Sequence, residues 1–533
     1  MHRQSKQFYI FYGLIVLIYA LNIGGNAIWT THEAYYAEAV REMLESGIWS
    51  EFFFNYEPRF QKPPMTYWLM GASAVVLGLS EFSLRLPIVI CSLLTVLVVY
   101  HLGKLLYSEK IGLISMLIFS MSLQFVWFRH YASPEIPLTF FLTLSFYWFC
   151  KGNKSDDPRW IYGAFIILGL AVLTKGFPYL ILFFSIVILS DLSFLKRKTS
   201  TLIYGLLLCG FIGLSWPVYM AINQGNDYTD VLFAETIGRA MGKTAGGGFI
   251  EKLLFYPQTL LWSVFPFSLV FYYWLIRILQ KKSWRSELSF PLIWLLVFLV
   301  VFTISSGKLP VYILQAHPAI ALIVGYSIVH LFSDGKTNFL LILSFAFPAV
   351  LIVVFTSGAI ITLSLSWLLF LPLVVLAGLS IYFYPKTKQL EWLTFTEWGV
   401  MAATMFVISL GLMPWVEQFR PYQKIASTIE HEVPDKSVPL YIEGRFLDNL
   451  PYYAGRKVIG GTEWTEAKIL NHPGEKLVLL KGDRQEAETG EILWQGLIHA
   501  KGPEDHFFKF IRDCYLLAEG DSSRFMVYRL MSF

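Results

Sequence analysis

Residues 338–357 read NFLLILSFAFPAVLIVVFTS, a run without a single charged side chain. A helix of this length can cross the roughly 30 Å hydrocarbon core of a bilayer. The composition agrees, because 55% of the 533 residues are hydrophobic, 17% are aromatic and only 15% are charged. A soluble domain carries about 25% charged residues, and its interior could not bury this much apolar surface. The sequence therefore predicts a polytopic α-helical membrane protein.

Thirteen apolar runs are candidate membrane spans, and the charges beside them predict the topology. Cytoplasmic loops collect Lys and Arg, so Arg3 and Lys6 place the N-terminus inside. A further run, residues 65–80, is assigned to the membrane interface, because counting it as a span would move the later basic clusters outside. The first run lacks a clear cleavage site and is expected to be an uncleaved anchor. The predicted spans lie near residues 8–27, 84–103, 112–128, 136–150, 161–174, 178–195, 202–222, 254–279, 289–305, 311–332, 338–357, 359–384 and 397–415.

The predicted domains follow from the odd number of spans. Residues 1–415 form the transmembrane domain, in which residues 28–83 make the first outer loop with its interfacial helices. Residues 416–533 are rich in Glu, Lys, Asp and Gly and read as a small extracytoplasmic α/β domain. Its predicted strands and helix are Val438–Ile442, Lys476–Leu480, Arg524–Leu530 and, before the last strand, Glu504–Cys514.

Several partner classes find no support in the sequence. The net charge of +4 is too small to indicate a nucleic-acid-binding protein. The four cysteines lack the spacing of a disulfide framework or of a thiolate metal site. His32, His130 and His317 also lack ligand spacing. No metal or other cofactor is therefore predicted, and a divalent metal has no support in these patterns.

The predicted topology places the unusual polar segments on the extracytoplasmic side, where ionisable groups at membrane depth usually indicate function. Residues 33–46 carry apolar side chains at helical spacing and predict an amphipathic helix on the membrane. A capping box between Thr30 and Glu33 is the structural alternative to a functional Glu33. The acidic residues further along this helix read as a solvated face. They are Glu38, Glu42 and Glu45.

Lys62-Pro63-Pro64 is the most distinctive of these segments. The two prolines fix the backbone where an interfacial helix begins and hold Lys62 at the height of lipid phosphate groups. A snorkelling lysine is the structural alternative. Arg129, Lys175 and Lys308 have the same alternative individually. Because four such cations share one face, and the three lysines each adjoin a Pro or Gly, the pattern favours an anion site.

At these residues the chain resembles the bacterial membrane glycosyltransferases typified by the aminoarabinose (lipid A) transferase. These are relatives of the protein O-mannosyltransferases in the GT-C fold class. The family motifs D-E-A-R-Y-A-E, K-P-P-L-x-Y-W-L, a second acidic motif, L-x-K-G and S-G-x-K-L-P-x-Y recur in order over about residues 25–320. The matching segments are His32–Glu38, Lys62–Leu69, Arg129–Glu135, Leu173–Gly176 and Ser306–Tyr312, the last one residue shorter than the motif.

The resemblance implies a GT-C fold, a polyprenyl-phosphate sugar as donor and an inverting transfer. The acceptor would be lipid A, a protein hydroxyl or another envelope glycan, with membrane lipid as a further partner. Lys62 would bind the donor phosphate. Its expected helpers are Arg129, Lys175, Arg239 and Lys308. Further site candidates are Arg59, Tyr67, Glu235 and Tyr312.

The catalytic candidates are His32, Glu33 and Glu135, and here the chain departs from the family pattern. His32 stands where the family has its first acidic residue, and Glu135 stands where Asp is usual. Three alternatives stay open. Glu33 takes over the role of the base, His32 acts as the base near neutral pH, or the acceptor is an already ionised phosphate that needs no base.

The expected function is a glycosyltransferase of the bacterial inner membrane, with an extracytoplasmic C-terminal domain. One alternative is an enzyme like the protein O-mannosyltransferases that acts on exported proteins. Another is a transporter or flippase for a lipid-linked glycan. The polar groups lie on one side only, without a mirrored set of broken helices, and this argues against transport. A structural or receptor protein would leave the clustered cations without a role.

Overall fold

A computed structural model describes residues 2–29, 31–190, 199–238, 248–280, 286–330, 339–383, 389–482, 490–499 and 507–533. Most of these residues are helical. The first nine helices are α1 (His2–Ala20), α2 (Thr31–Ser46), α3 (Met65–Leu77), α4 (Glu81–Leu106), α5 (Glu109–Ser120), α6 (Leu123–Phe128), α7 (Glu135–Ser155), α8 (Pro158–Lys175) and α9 (Pro178–Ser190). A short hairpin of β1 (Phe53–Phe54) and β2 (Glu57–Pro58) separates α2 from α3.

The helices continue to the region that the sequence assigns to the outer domain. They are α10 (Thr199–Gly213), α11 (Ser215–Gln224), α12 (Asn226–Phe233), α13 (Phe249–Ser263), α14 (Ser268–Gln280), α15 (Ser289–Ile304), α16 (His317–His330), α17 (Phe339–Thr362), α18 (Leu371–Phe383), α19 (Gln389–Val407) and α20 (Met413–Glu417). Single turns of π or 3-10 helix adjoin them at Ala234–Gly238, Pro310–Ala316, Trp367–Phe370 and Ile408–Leu412.

The transmembrane helices form one large apolar core in which α7 packs on α8, α8 on α10, and α4 on both α5 and α7. The crossing of α4 and α5 is unusually close at two glycines. A Cβ atom on Gly103 would lie 2.7 Å from the Cα atom of Gly112, and one on Gly112 would lie 2.4 Å from the carbonyl oxygen of Tyr100. The two helices can approach this closely only because neither position carries a side chain.

Five helices within the described residues are long and apolar enough to cross a membrane. They are Glu81–Leu106, Pro158–Lys175, Pro310–His330, Phe339–Thr362 and Leu390–Glu417. A sixth span results if the bent pair α10 and α11 is counted as one. The total of thirteen spans and the orientation of the termini stay predictions. The 13 residues of α3 extend only about 20 Å, shorter than a bilayer core, as expected for a helix at the interface.

The C-terminal part folds around a five-stranded mixed sheet with the order β4-β3-β5-β7-β6. Its elements are α21 (Tyr422–Glu432), β3 (Leu440–Glu443), α22 (Leu450–Ala454), β4 (Val458–Gly461), α23 (Glu466–Leu470), β5 (Leu477–Lys481), β6 (Glu491–His499), α24 (Phe507–Ala518) and β7 (Phe525–Ser532). Strand β3 runs parallel to β4 and β5, whereas β7 is antiparallel to β5 and β6. The three strands and the helix predicted here are present with slightly shifted ends.

Candidate functional site

His32 and Glu33 are consecutive residues in the first turn of α2, but their side chains have different neighbours. The Glu33 carboxylate is buried and accepts hydrogen bonds from two guanidinium nitrogens of Arg85, from Nε at 2.8 Å and from Nη2 at 3.0 Å. It also accepts the backbone N–H groups of Trp29, at 2.6 Å, and Ala132, at 3.1 Å. Burial alone would raise the pKa of Glu33, but Arg85 and these hydrogen bonds hold it below its ordinary value.

These bonds give Glu33 a structural role at the start of α2. The capping box expected between Thr30 and Glu33 involves residue 30, which lies outside the described residues. Among those described, the Glu33 side chain bonds back to Trp29 and across to Arg85 on α4. The sequence interpretation missed Arg85. A lone arginine inside the apolar run 84–103 was the available signal, since such a residue needs a partner or a function.

His32 faces a cluster of charged groups contributed by several distant segments. Burial, the largest effect, lowers the pKa of its imidazole, and the charges of Lys175, Lys62 and Arg59 lower it further. Among the described residues that act on His32, the Glu135 carboxylate is the one that raises this pKa. A histidine with a lowered pKa is neutral near pH 7, so His32 is able to accept a proton.

Glu135 and Lys175 form the deepest ion pair of this cluster. The Lys175 ammonium lies 2.8 Å from the Glu135 carboxylate, and their side chains are 11% and 2% exposed. Glu135 begins α7 and Lys175 ends α8, so the antiparallel packing of these helices brings the two motifs together. Helix α8 ends there because Gly176 adopts φ 104°. The Lys175 ammonium also lies 5.4 Å from the ring centroid of Tyr312.

Lys62 forms the second ion pair of the cluster. Its ammonium lies 2.6 Å from the carboxylate of Glu235, which belongs to the π turn after α12. The side chains are 13% and 18% exposed, so solvent and a ligand can reach both groups. The position of Lys62 is set by Pro63 and Pro64, which precede α3 directly.

Arg59 and a group of tyrosines complete this cluster. The guanidinium carbon of Arg59 lies 4.4 Å from the ring centroid of Tyr35, and its Nε donates to the hydroxyl of Tyr67 at 3.3 Å. Tyr67 stacks on Tyr36 with ring centroids 4.7 Å apart. Tyr35 stands where the family motif has arginine. Arg59, from another segment, places a cation beside the Tyr35 ring.

The structure brings together eight of the residues predicted for the site, and we call this group the His32 cluster. They are His32, Arg59, Lys62, Tyr67, Glu135, Lys175, Glu235 and Tyr312. Three permanent cations face two carboxylates here, so the cluster has an excess positive charge when His32 is neutral. Such an arrangement suits a ligand with an anionic group.

Two predicted phosphate-binding cations have other contacts. Lys308 donates to the carbonyl oxygens of Phe302 at 3.1 Å, Thr303 at 2.6 Å and Ser305 at 3.2 Å, and so caps the end of α15. Arg129 donates to Val126 and Ser409 and lines a different cavity. Sequence spacing could not distinguish a phosphate ligand from a helix cap. Arg239 lies outside the described residues.

The interpretation of Glu38, Glu42 and Glu45 as a solvated face was wrong for the first two, which are buried. Arg41 binds Glu38 at 2.7 Å and Glu45 at 2.7 Å. Burial and the adjacent Glu38 carboxyl raise the pKa of Glu42 to about 8. The β1–β2 hairpin and the C-terminal part cover this face of α2, and the helical periodicity of α2 alone could not reveal that cover. Within the described part of the chain, no group of three or more His, Cys, Asp or Glu side chains could hold a metal ion.

Sequence comparison relates the chain to membrane glycosyltransferases. The model of the dolichyl-phosphate-mannose-protein mannosyltransferase family matches residues 61–217. A relative of uncharacterised function from Aquifex aeolicus is 31% identical over 466 residues, which cover 86% of this chain and 89% of that protein. The undecaprenyl phosphate-alpha-4-amino-4-deoxy-L-arabinose arabinosyl transferase 1 of Pseudomonas fluorescens Pf-5 is 28% identical over 333 residues. That match covers 61% of this chain and 60% of the transferase.

Solved structures share the fold. The crystal structure of ArnT from Cupriavidus metallidurans bound to undecaprenyl phosphate superposes with a TM-score of 0.74 and 15% identity over 98% of both chains. The Archaeoglobus fulgidus oligosaccharyltransferase in the apo form gives a TM-score of 0.53 with 12% identity, over 90% of this chain and 70% of that one. The similarity to ArnT includes the C-terminal part as well as the membrane helices.

Proposed function

Because the chain belongs to the GT-C membrane glycosyltransferases of the aminoarabinose-transferase and protein O-mannosyltransferase type, we propose that it transfers a sugar from polyprenyl (undecaprenyl) phosphate to an extracytoplasmic acceptor. Lipid A or another envelope glycan is the proposed acceptor, and the transfer inverts the anomeric carbon. The observation that carries the proposal is the meeting of Lys62, Lys175 and Arg59 around His32 and Glu135.

The donor phosphate is proposed to bind at Lys62. The Lys62–Glu235 pair is the most accessible ion pair of the His32 cluster, so a phosphate can replace Glu235 as the partner of Lys62. Arg59, which contacts only aromatic groups and the Tyr67 hydroxyl in the bonds described above, is the second phosphate ligand. When the sugar leaves, the electron pair of the broken C–O bond remains on the phosphate, and these cations stabilise the added charge.

His32 is the proposed base of the reaction. The acceptor oxygen attacks the anomeric carbon and must lose its proton, which a neutral imidazole can take. Glu135, whose negative charge acts on the His32 imidazole, would stabilise the resulting imidazolium. Glu33 is a poor candidate, because Arg85 and two backbone N–H groups already occupy its oxygens. An acceptor phosphate that needs no base stays an alternative.

There are two candidate classes of acceptor. Lipid A or another envelope glycan is the first, and the description of the matched family supports a protein as the second. The test uses the purified full-length protein in vesicles with radiolabelled undecaprenyl-phosphate sugar, and either lipid A or a hydroxyl-bearing peptide. Labelling of lipid A supports the first candidate, and labelling of the peptide supports the second. Movement of the donor across the vesicle membrane without any transfer would contradict both and favour a flippase. Mass spectrometry of lipid A and envelope glycans from a deletion strain then identifies the natural product.

A further inference from the structure

A cavity of about 220 Å³ lies beside the same turn of α2, outside the His32 cluster. Glu33 and Arg85 line one part of it, whereas His32, Lys62 and Lys175 do not line it. The other walls come from the ends of α6 and α19, the π turn Ile408–Leu412, and the first residues of α24 in the outer domain. The cavity therefore sits where the membrane helices meet the C-terminal part.

Arg129 supplies an uncompensated positive charge to this cavity. Its side chain is more than nine-tenths buried, and its donors reach only neutral acceptors: the Val126 carbonyl at 2.9 Å, the Ser409 hydroxyl at 3.0 Å and the Met405 sulfur at 3.9 Å. Its Nε atom has no hydrogen-bond partner among the described residues, and no carboxylate in that part of the chain forms an ion pair with it. Among the described residues that line the cavity, Glu33 is the one carboxylate, and Arg85 already neutralises it.

A buried cation without a counter-ion is costly, and an anionic group bound in the cavity would offset that cost. The remaining surface of the cavity indicates what such an anion is attached to. Trp127 and Phe508 line the cavity and are 43% and 84% exposed, and the rings of Trp127 and Phe507 meet edge to face at 4.5 Å. Trp127, on the short helix between α5 and α7, is of a residue type that is enriched in the lipid headgroup region, and Phe508 adds an exposed apolar ring from the C-terminal part. An anion with an apolar tail fits both surfaces.

We propose that this cavity binds the phosphate headgroup of an outer-leaflet lipid, with the phosphate at Arg129 and the first part of the acyl chains against Trp127 and Phe508. The site is distinct from the proposed donor site, since Lys62, Glu135 and Lys175 belong to the other side of the α2 turn. The proposal does not depend on transfer activity. It makes the lipid a bridge between the membrane helices and the outer domain.

The test compares two lipids that differ only in the phosphate. Full-length protein is delipidated in detergent, and the binding of dioleoyl phosphatidic acid and of dioleoylglycerol is measured by native mass spectrometry. We expect phosphatidic acid to bind about tenfold or more tightly than dioleoylglycerol, with most of that preference lost in Arg129→Gln. Arg129→Lys should retain part of it, and Arg129→Gln should cause the same loss when it is made in Lys62→Ala, because the proposed site does not include Lys62. The same binding measurement with lipid A, a phosphorylated glucosamine lipid, shows whether the site binds the phosphate of this lipid as tightly as that of a glycerophospholipid.

A second variant keeps the proposal testable if Arg129→Gln does not fold. Phe508→Asp changes a largely exposed side chain and places a negative charge at the aromatic rim, so it should weaken phosphatidic acid binding while Arg129 stays buried. Equal binding of the two lipids by the wild type, or unchanged preference in both variants, would overturn the proposal. Equal competition by inorganic phosphate at the same concentration would also overturn it, because the site would then bind a free anion. Loss of lipid binding in Lys62→Ala would assign the effect to the donor site.

Discussion

At the scale of single residues, two consecutive positions on α2 separate a chemical role from a structural one. His32 faces Lys62, Arg59, Lys175 and Glu135, while the carboxylate of Glu33 is fully engaged with Arg85 and backbone N–H groups. The sequence alone could not choose between them, because both stand in the same acidic motif. Their hydrogen bonds distinguish them, and each assignment leads to a different experimental result.

The pH dependence of transfer tests the role of His32. Burial, together with Lys175, Lys62 and Arg59, lowers its pKa below the ordinary value of 6.5, so the neutral base persists as the pH falls through 6.5. We expect the rate to stay nearly constant from about pH 7.5 to 6.5 and to fall only at lower pH. His32→Asn should remove most of the rate and its acid limb. His431→Asn, at a histidine that is 83% exposed, should change neither. A wild-type rate that already falls by half near pH 7 would contradict this account.

The stability of the protein tests the role of Glu33. Glu33→Gln leaves the Arg85 guanidinium buried without its counter-ion, and breaking such a pair costs about 3–5 kcal/mol. We expect this loss in the free energy of unfolding measured in detergent, along with reduced activity. The exposed Glu430→Gln is the matched control and should leave stability unchanged. A fully stable Glu33→Gln protein without activity would instead assign Glu33 to catalysis.

At the scale of elements, the site depends on helix packing that the sequence motifs do not encode directly. Lys175 meets Glu135 because α8 returns along α7, and Lys62 meets Glu235 because the π turn after α12 lies beside the start of α3. The motifs predicted which residues belong to the site. They could not predict the pairing, which arises from contacts between segments far apart in the chain.

The close crossing of α4 and α5 gives an element-scale prediction. In Gly112→Ala the new methyl group would meet the backbone of α4 at 2.4–2.9 Å, so the helices must separate. We expect a loss of about 1–3 kcal/mol of stability, measured by thermal unfolding in detergent. Gly210→Ala is the control, because nothing lies within 4 Å of its added Cβ and alanine favours a helix. Equal stability of the two variants would mean that α4 and α5 do not cross in this way.

The sequence predicted helices at α2 and α3, the strands of the C-terminal part, and eight candidate residues that meet in the His32 cluster. It was wrong about the exposure of Glu38 and Glu42 and did not predict the contacts of Lys308 and Arg129, because distant elements set the environment of these residues. Glu38 and Glu42 are covered by the β1–β2 hairpin and the outer domain, Lys308 caps α15, and Arg129 faces the second cavity. Periodicity and spacing describe one segment at a time, so they cannot reveal cover or partners that other segments supply.

At the scale of the whole molecule, the C-terminal part positions the segment that leads into α2. The Tyr453 hydroxyl accepts the backbone N–H of Ile28 at 2.7 Å and donates to Glu81 at 2.8 Å. Asn449 donates to the carbonyl oxygen of Ile28 at 3.1 Å, and Thr31 donates to Asp448 at 3.1 Å. Since His32 follows this segment directly, its position depends on the fold of the C-terminal part.

Removing the hydroxyl of Tyr453 tests that dependence. Tyr453→Phe loses both bonds of the hydroxyl and leaves the Ile28 N–H without that acceptor, which costs about 1–3 kcal/mol for a buried group. We expect lower thermal stability and a reduced transfer rate, although Tyr453 itself contacts no member of the His32 cluster in the bonds described. Tyr452→Phe is the neighbouring control, because its hydroxyl makes no hydrogen bond among the described residues. Identical behaviour of the two variants would show that the outer domain does not position His32.

The transfer rate of the purified full-length protein and its site variants tests the central claim most directly. Radiolabelled undecaprenyl-phosphate sugar is supplied with lipid A, and the labelled product is measured for the wild type, Lys62→Ala and Glu135→Gln. Exposed Lys424→Ala and Glu430→Gln serve as matched controls. The account predicts transfer by the wild type and both controls, and a loss of about 100-fold or more in Lys62→Ala and Glu135→Gln at normal expression. Wild-type turnover by Lys62→Ala would contradict it.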